Sequence, residues 1–158
     1  MFGLESSIGD VMAFIGLGLM VGLSGVGGSI GTGFTGPAAV GLLKKRPESF
    51  GNALVLACVP TSQVLYGFVA FIIFQGALAG SEITILKGAI TLGAGIGVGL
   101  VCMVSCIHQA RVCANGISAM ASGADDMLGK TLILAAIPEF FAILSLVSGI
   151  LLSQMLLG

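Results

Sequence analysis

Ala135-Ala136-Ile137-Pro138-Glu139-Phe140-Phe141 sets one carboxylate in the middle of an apolar run. From Thr131 to Gly158 that run holds no other Asp, Glu, Lys, Arg or His. About twenty apolar residues suffice to cross the hydrocarbon of a bilayer as a helix, so the stretch reads as a membrane span with an acid inside it. Just before it, Ser122-Gly123-Ala124-Asp125-Asp126 is a polar break. Further back stand two more, Ala79-Gly80-Ser81-Glu82 and Lys44-Lys45-Arg46-Pro47-Glu48. The breaks cut the chain into four apolar segments. With no water in the bilayer to satisfy open backbone groups, helix is the expected structure of each. The boundaries fall at about 8–43, 48–79, 82–121 and 125–157, predicting an all-α membrane protein of four transmembrane helices.

Composition supports this. The chain of 158 residues is 56% hydrophobic and 8% charged, against about a quarter charged in soluble domains. It cannot cover a water-facing surface of its own, and its net charge of −1 gives no basis for a nucleic-acid partner. No Lys or Arg precedes the first apolar run, so that segment reads as a permanent helix and not a cleaved signal. Cys58, Cys102, Cys106 and Cys113 all fall in apolar stretches and are expected as small packing residues.

The charges orient the bundle. Lys44, Lys45, Arg46, Arg111 and Lys130 lie at or toward the first and third breaks, whereas Glu5, Asp10, Glu82 and Lys87 lie toward the other side. The positive-inside rule then makes loops 44–47 and 122–125 cytoplasmic, with both termini outside.

The two halves repeat. An offset of about 78 residues sets Pro60 on Pro138 and Gly51 on Gly129, and one residue less sets Gly16, Gly18 and Gly22 on Gly93, Gly95 and Gly99. The chain is thus expected as two duplicated hairpins, 1–79 and 82–158. Thr61 holds the place in the first that Glu139 holds in the second. The first segment is crowded with glycine. Spacings such as Gly18/Gly22, Gly27/Gly31 and Gly95/Gly99 provide smooth faces for close helix approach. More such faces are present than one four-helix bundle can use, which predicts a tight homo-oligomer with the first and third segments crowded together. Within this region Gly31-Thr32-Gly33-Phe34-Thr35-Gly36 matches the dinucleotide pattern G-x-G-x-x-G, but no preceding strand or βαβ setting accompanies it, so nucleotide binding is not expected.

Ionisable groups inside a membrane are expensive and mark ion pathways. At about 1.5 Å per residue, Glu139 lies about 20 Å from the third break, Gln109 about as far on the other side of it, and Gln63 about 24 Å from the first. All three can share one level. Val59, Ser62, Gln63 and Tyr66 fall at i, i+3, i+4 and i+7, one helix face. Pro60 and Pro138 each free a carbonyl one turn earlier. A proton needs one carboxylate; sodium needs several oxygens in place of its hydration shell. Glu139, Gln63, Gln109, the Ser62 hydroxyl and the Val59 carbonyl offer five, and Tyr66 is placed to donate to Glu139. The set favours Na+, with H+ as the alternative. His108 is turned away from Cys102 and Cys106, so a metal site there is not expected.

The duplicated hairpin, the glycine-rich helices, Pro60-Thr61-Ser62-Gln63-Val64-Leu65-Tyr66-Gly67-Phe68 and Pro138-Glu139 resemble the membrane-rotor proteolipid of vacuolar-type (V-type) ATPases, the c or K component, in its bacterial sodium-translocating form. The resemblance implies a non-catalytic subunit in a ring of identical copies, turning against a stator subunit whose arginine faces Glu139. A central-stalk subunit would meet the cytoplasmic loops, and lipids would fill the ring, in a bacterial cell membrane. It also implies ion ligation by the groups at Val59, Ser62, Gln63, Gln109 and Glu139, with Tyr66 steadying the carboxylate. A free-standing proton-coupled carrier using Glu139 as its proton site is the alternative.

Overall fold

The computed structural model describes residues 2–124 and 126–157, with side chains from Ile8 onward. Glu5 and Asp125 lie outside the described side chains. Five helices follow in order: α1 (Phe2–Lys45), α2 (Phe50–Cys58), α3 (Ser62–Leu78), α4 (Ile85–Ala121) and α5 (Met127–Gln154). A single 3₁₀ turn, Val59–Thr61, joins α2 to α3, so these two form one span. Four spans result: Ile8–Lys45, Pro47–Leu78, Ile85–Ala121 and Met127–Gln154. The chain is an integral, multi-pass, all-helical membrane protein.

The boundaries follow local chemistry. Gly80 and Gly123 take positive φ, 74° and 99°, which residues with a Cβ resist, and each turns the chain just after a helix ends. The third span starts at Ile85 and not at 82, because Thr84 caps it: its hydroxyl accepts from the Lys87 amide at 3.3 Å. Expected at 48–79 as one helix, the second span is instead interrupted beside Pro60, whose missing N–H and bulky ring spoil the ladder. Pro138 sits inside an unbroken α5.

α1 and α4 run parallel and almost touch. A Cβ on Gly9 would meet the Thr84 carbonyl at 2.7 Å, and one on Gly27 would meet Met103 Cα at 2.6 Å. Gly16 faces Thr91 and Gly95, and Gly31 faces Cys106 and Ala110. Glycine here lets two backbones approach to a distance no side chain permits. α3 lies against α1, with Gly67 over Ser24 and Val64 over Gly28, and α5 lies against α4, with Thr131 over Gly116. The molecule is therefore two layers, a glycine-thinned α1–α4 pair backed by α2/α3 and α5. Among the described residues, a Cβ on Gly18, Gly22, Gly25, Gly33 or Gly36 of α1, or on Gly93 or Gly97 of α4, would meet nothing within 4 Å beyond its own helix backbone. Gly18/Gly22 is thus not a contact within the chain. Cys102, Cys106 and Cys113 are buried as expected, but Cys58 is exposed on the outer surface, since α2 carries only Ala53 and Leu56 inward.

Candidate ion site

The 3₁₀ turn aims the start of α3 at α5. The Ser62 hydroxyl and the Tyr66 phenol, one turn apart, both donate to Glu139 Oε1, at 2.8 and 2.7 Å. Gln63 points the other way, into the α4 side, where it is fully buried. Its Nε2 donates to Gln109 Oε1 at 2.7 Å and approaches Ser105 Oγ at 3.4 Å. Gln109, also fully buried, spends its two amide hydrogens on α5: one on the Ala135 carbonyl at 2.9 Å, one on Glu139 Oε2 at 3.0 Å. Both carboxylate oxygens are thus held, by donors from α3 and α4.

Ser62 Oγ has a second property. Besides Glu139 Oε1 it lies 3.1 Å from the Val59 carbonyl and 3.3 Å from Gln63 Oε1. One hydroxyl hydrogen can serve one of these three acceptors well. Oxygen lone pairs therefore outnumber hydrogens at this spot, the chemistry a small hard cation requires. Glu139, Gln63, Ser62, Gln109 and Val59 are brought together, with Tyr66 at their edge.

The prolines frame the site. Counting one turn back from each proline puts the freed carbonyls at Leu56 and Leu134. The side-chain donors reach the next residue in both cases, Thr35 Oγ1 to Ala57 at 3.2 Å and Gln109 to Ala135. The prolines' own carbonyls are served by α4: Cys106 Sγ donates to Pro60, and Ser105 Oγ donates to Pro138 at 2.6 Å. Ser105 is the polar residue that the sequence did not single out. It stands four residues before Gln109, on the same helix face, and that spacing is a usable signal. Thr61 donates to the Cys58 carbonyl at 2.7 Å, back into its own turn. An open cleft of about 360 Å³, lined in part by Val55, Cys58, Leu65 and Thr61, leads from the outer surface to Glu139.

His108 is exposed, and among the described residues no three of His, Cys, Asp and Glu come together as a metal site. Gly31–Gly36 is plain helix inside α1.

The sequence profile of the ATP synthase C subunit matches the chain twice, over residues 15–74 and 92–152. The chain belongs to the ATP synthase C-subunit family. Its members of the c and K kind are non-catalytic proteolipids, with ATP handled on other subunits. The two matched blocks fall one on each hairpin, which makes the internal repeat a duplication of the family unit. Among similar proteins, the V-type sodium ATPase subunit K of Enterococcus hirae is 39% identical over 145 residues, 91% of each chain. The A-type ATP synthase subunit K of Methanocaldococcus jannaschii is 33% identical over 142 residues, 90% of this chain and 61% of that one. The c' subunit of the V-type proton ATPase of Eremothecium gossypii is 31% identical over 93 residues, 58% of this chain and 57% of that one.

Proposed function

We infer that the chain is an ion-carrying subunit of the membrane rotor of a V-type ATPase, and that it moves Na+ by reversible binding at Glu139. The observation that carries this reading is the surplus of oxygen acceptors around Ser62 Oγ beside a carboxylate within a membrane span. In this reading Na+ takes Glu139, Gln63, Ser62, the Val59 carbonyl and Gln109, whose amide turns its oxygen inward when the ion enters. When the ion leaves, Gln109 turns its amide hydrogens back to the carboxylate, while Ser62 and Tyr66 hold the other oxygen. The name of the Enterococcus relative supports sodium; that of the Eremothecium relative keeps H+ as the second reading, since a proton needs only the carboxylate.

The rotary mechanism follows from solvation. A bare carboxylate in hydrocarbon is prohibitively unfavourable, so Glu139 passes lipid only while its charge is cancelled. The cleft beside Thr61 gives a stator arginine a path to Glu139, where it displaces the ion. One carboxylate per four spans means few ions per turn and more torque for each, which suits a pump. Identical copies form a ring through the unfilled glycine faces of α1 and α4, and α1 and α4 make its inner wall because they are the thinnest helices. Loops 44–47 and 122–125 face the cytoplasm and meet the central stalk, the termini face out, and the membrane is a bacterial cell membrane. Family membership leaves the free-standing carrier without support.

The test is carbodiimide labelling of detergent-extracted ring. Glu139 is expected to react, and Na+ near neutral pH is expected to slow the reaction. Labelling that responds to pH but is indifferent to Na+ would assign the site to protons.

A further inference from the structure

A second ionisable group lies within a membrane span and takes no part in the ion site. Arg111 stands two residues after Gln109 on α4, which is about 3 Å along the axis and about 200° around it. It is therefore level with the carboxylate but on the opposite face of the helix. It is exposed, and its guanidinium carbon lies 5.3 Å from the centroid of the Phe34 ring on α1. The pair bridges α1 and α4 on the side away from α3 and α5. Gly31 opposite Cys106 and Ala110 puts Phe34 at the level of Arg111 itself. The side chain thus lies flat across the seam. A helical side chain leans toward its N-terminus, which for α4 is the end away from the third break, so Arg111 does not reach up to that surface.

No acid of the described chain answers it. Asp10 and Glu82 are near the other end, Glu48 and Asp126 are in the breaks, and Glu139 is behind α4, occupied by its own donors. A cation at such a depth needs a partner, and here the partner must come from outside the chain.

The exposed face of α4 shows what kind. From Leu86 through Ile96, Leu100 and Val104 it is apolar; at His108 it turns polar and stays so through Arg111, Asn115 and Ser118. On α5 the exposed face stays apolar through Ile133. Thr131 packs on Gly116, so Ile133 is level with about residue 114 of α4, about 9 Å beyond His108. The two faces of one molecule therefore meet different boundaries between oil and polar groups, and the α4 boundary coincides with an unanswered cation.

We propose that Arg111, stacked on Phe34, holds the phosphate of a lipid headgroup inside the ring, at the level of the ion site. This rests on the ring reading above, which places the Arg111 face on the inner wall. The guanidinium fork matches phosphate oxygens two at a time, and the Phe34 face keeps it planar against the wall. The consequence is a lipid plug whose cytoplasmic surface is recessed relative to the bilayer outside.

The test uses intact rings from cells, washed exhaustively in detergent, with bound phosphorus measured after organic extraction. Wild-type rings are expected to retain about one organic-phase phosphate per chain, and Arg111→Gln rings at least about twofold less, with sodium-protected labelling of Glu139 unchanged. Arg111→Lys, which keeps the charge but loses the fork, is expected to retain lipid that washes out sooner. Equal phosphorus in wild type and Arg111→Gln, or phosphorus found only as inorganic phosphate in the aqueous phase, overturns the proposal. Should Arg111→Gln fail to assemble, a cryo-EM map of the wild-type ring decides: headgroup density against the guanidinium supports it, and polypeptide or no density there overturns it. Wild-type protein that forms no ring refutes the ring reading instead.

Discussion

The two hairpins solve the same problem with different donors, and the difference separates a hairpin without an acid from one whose acid is held at both oxygens. Each has a proline in its second span, at 60 and 138, and in each a side chain from the hairpin's own first helix reaches the carbonyl three residues earlier. In the first hairpin that donor is Thr35, whose hydroxyl has one hydrogen, and Ala57 uses it. In the second it is Gln109, whose amide has two, so a hydrogen remains for Glu139 after Ala135 is satisfied. Position 61, in the place of Glu139, looks onto no such donor and holds a threonine bonded to its own turn. The backbone diverges as well: the second span breaks into a 3₁₀ turn at its proline, and α5 continues unbroken. That break is what delivers Ser62 and Tyr66 to Glu139. The first hairpin holds no carboxylate at this place and instead supports the one in the other.

Substitutions can break this contrast, the largest effect coming from the carboxylate. Glu139→Gln is expected to abolish sodium uptake by the reconstituted complex and carbodiimide labelling, while the ring still assembles on a native gel. Adding Thr61→Glu to that variant is expected not to restore uptake, because no two-hydrogen donor faces position 61; recovery would show the hairpins to be interchangeable. Next, Gln109→Thr gives the second hairpin the donor type of the first. The shorter hydroxyl withdraws the Gln109 oxygen from the bound ion, and loss of a polar contact to a charged group costs about 1.5–3 kcal/mol, so sodium protection of Glu139 should need about 10- to 100-fold more Na+. Tyr66→Phe removes one of the two donors at Oε1 and should weaken protection by about tenfold. Thr35→Val should leave sodium affinity unaltered and cost about 1 kcal/mol of stability, read as a lower melting temperature of the ring. The smallest effect is at the exposed Asp126–Lys130 pair, where the nearby ammonium holds the Asp126 carboxyl below its usual range. The stability this pair contributes is present at neutral pH and fades as pH falls through the lowered value; both side chains are exposed, so it is small, and Asp126→Asn should lower the neutral-pH melting temperature only slightly.

Much of this was legible in the chain. Span positions follow from hydropathy, since charged residues occur only where water or a partner is available, and all four appear within a few residues of their expected places. The repeat located Thr61 opposite Glu139, and counting residues from the breaks put Gln63, Gln109 and Glu139 on one level. Sharing a helix face did not mean sharing a direction. Ser62 and Tyr66 turn to α5 while Gln63 turns to α4, because the face at Val59–Tyr66 is wide enough to span two neighbours. Ser105 went unread because serine in an apolar helix usually bonds back to its own turn, as Ser118 does.

The sequence alone determined that the chain crosses the membrane four times and that one acid stays inside, because the cost of charge and of open backbone in oil depends only on which residues sit in the apolar runs. Only tertiary structure decided which hydrogens answer that acid, and that Arg111 stands level with it on the far face of α4. Hydrogen bonds act over about 3 Å, and which groups come that close depends on the angle at which each helix presents them.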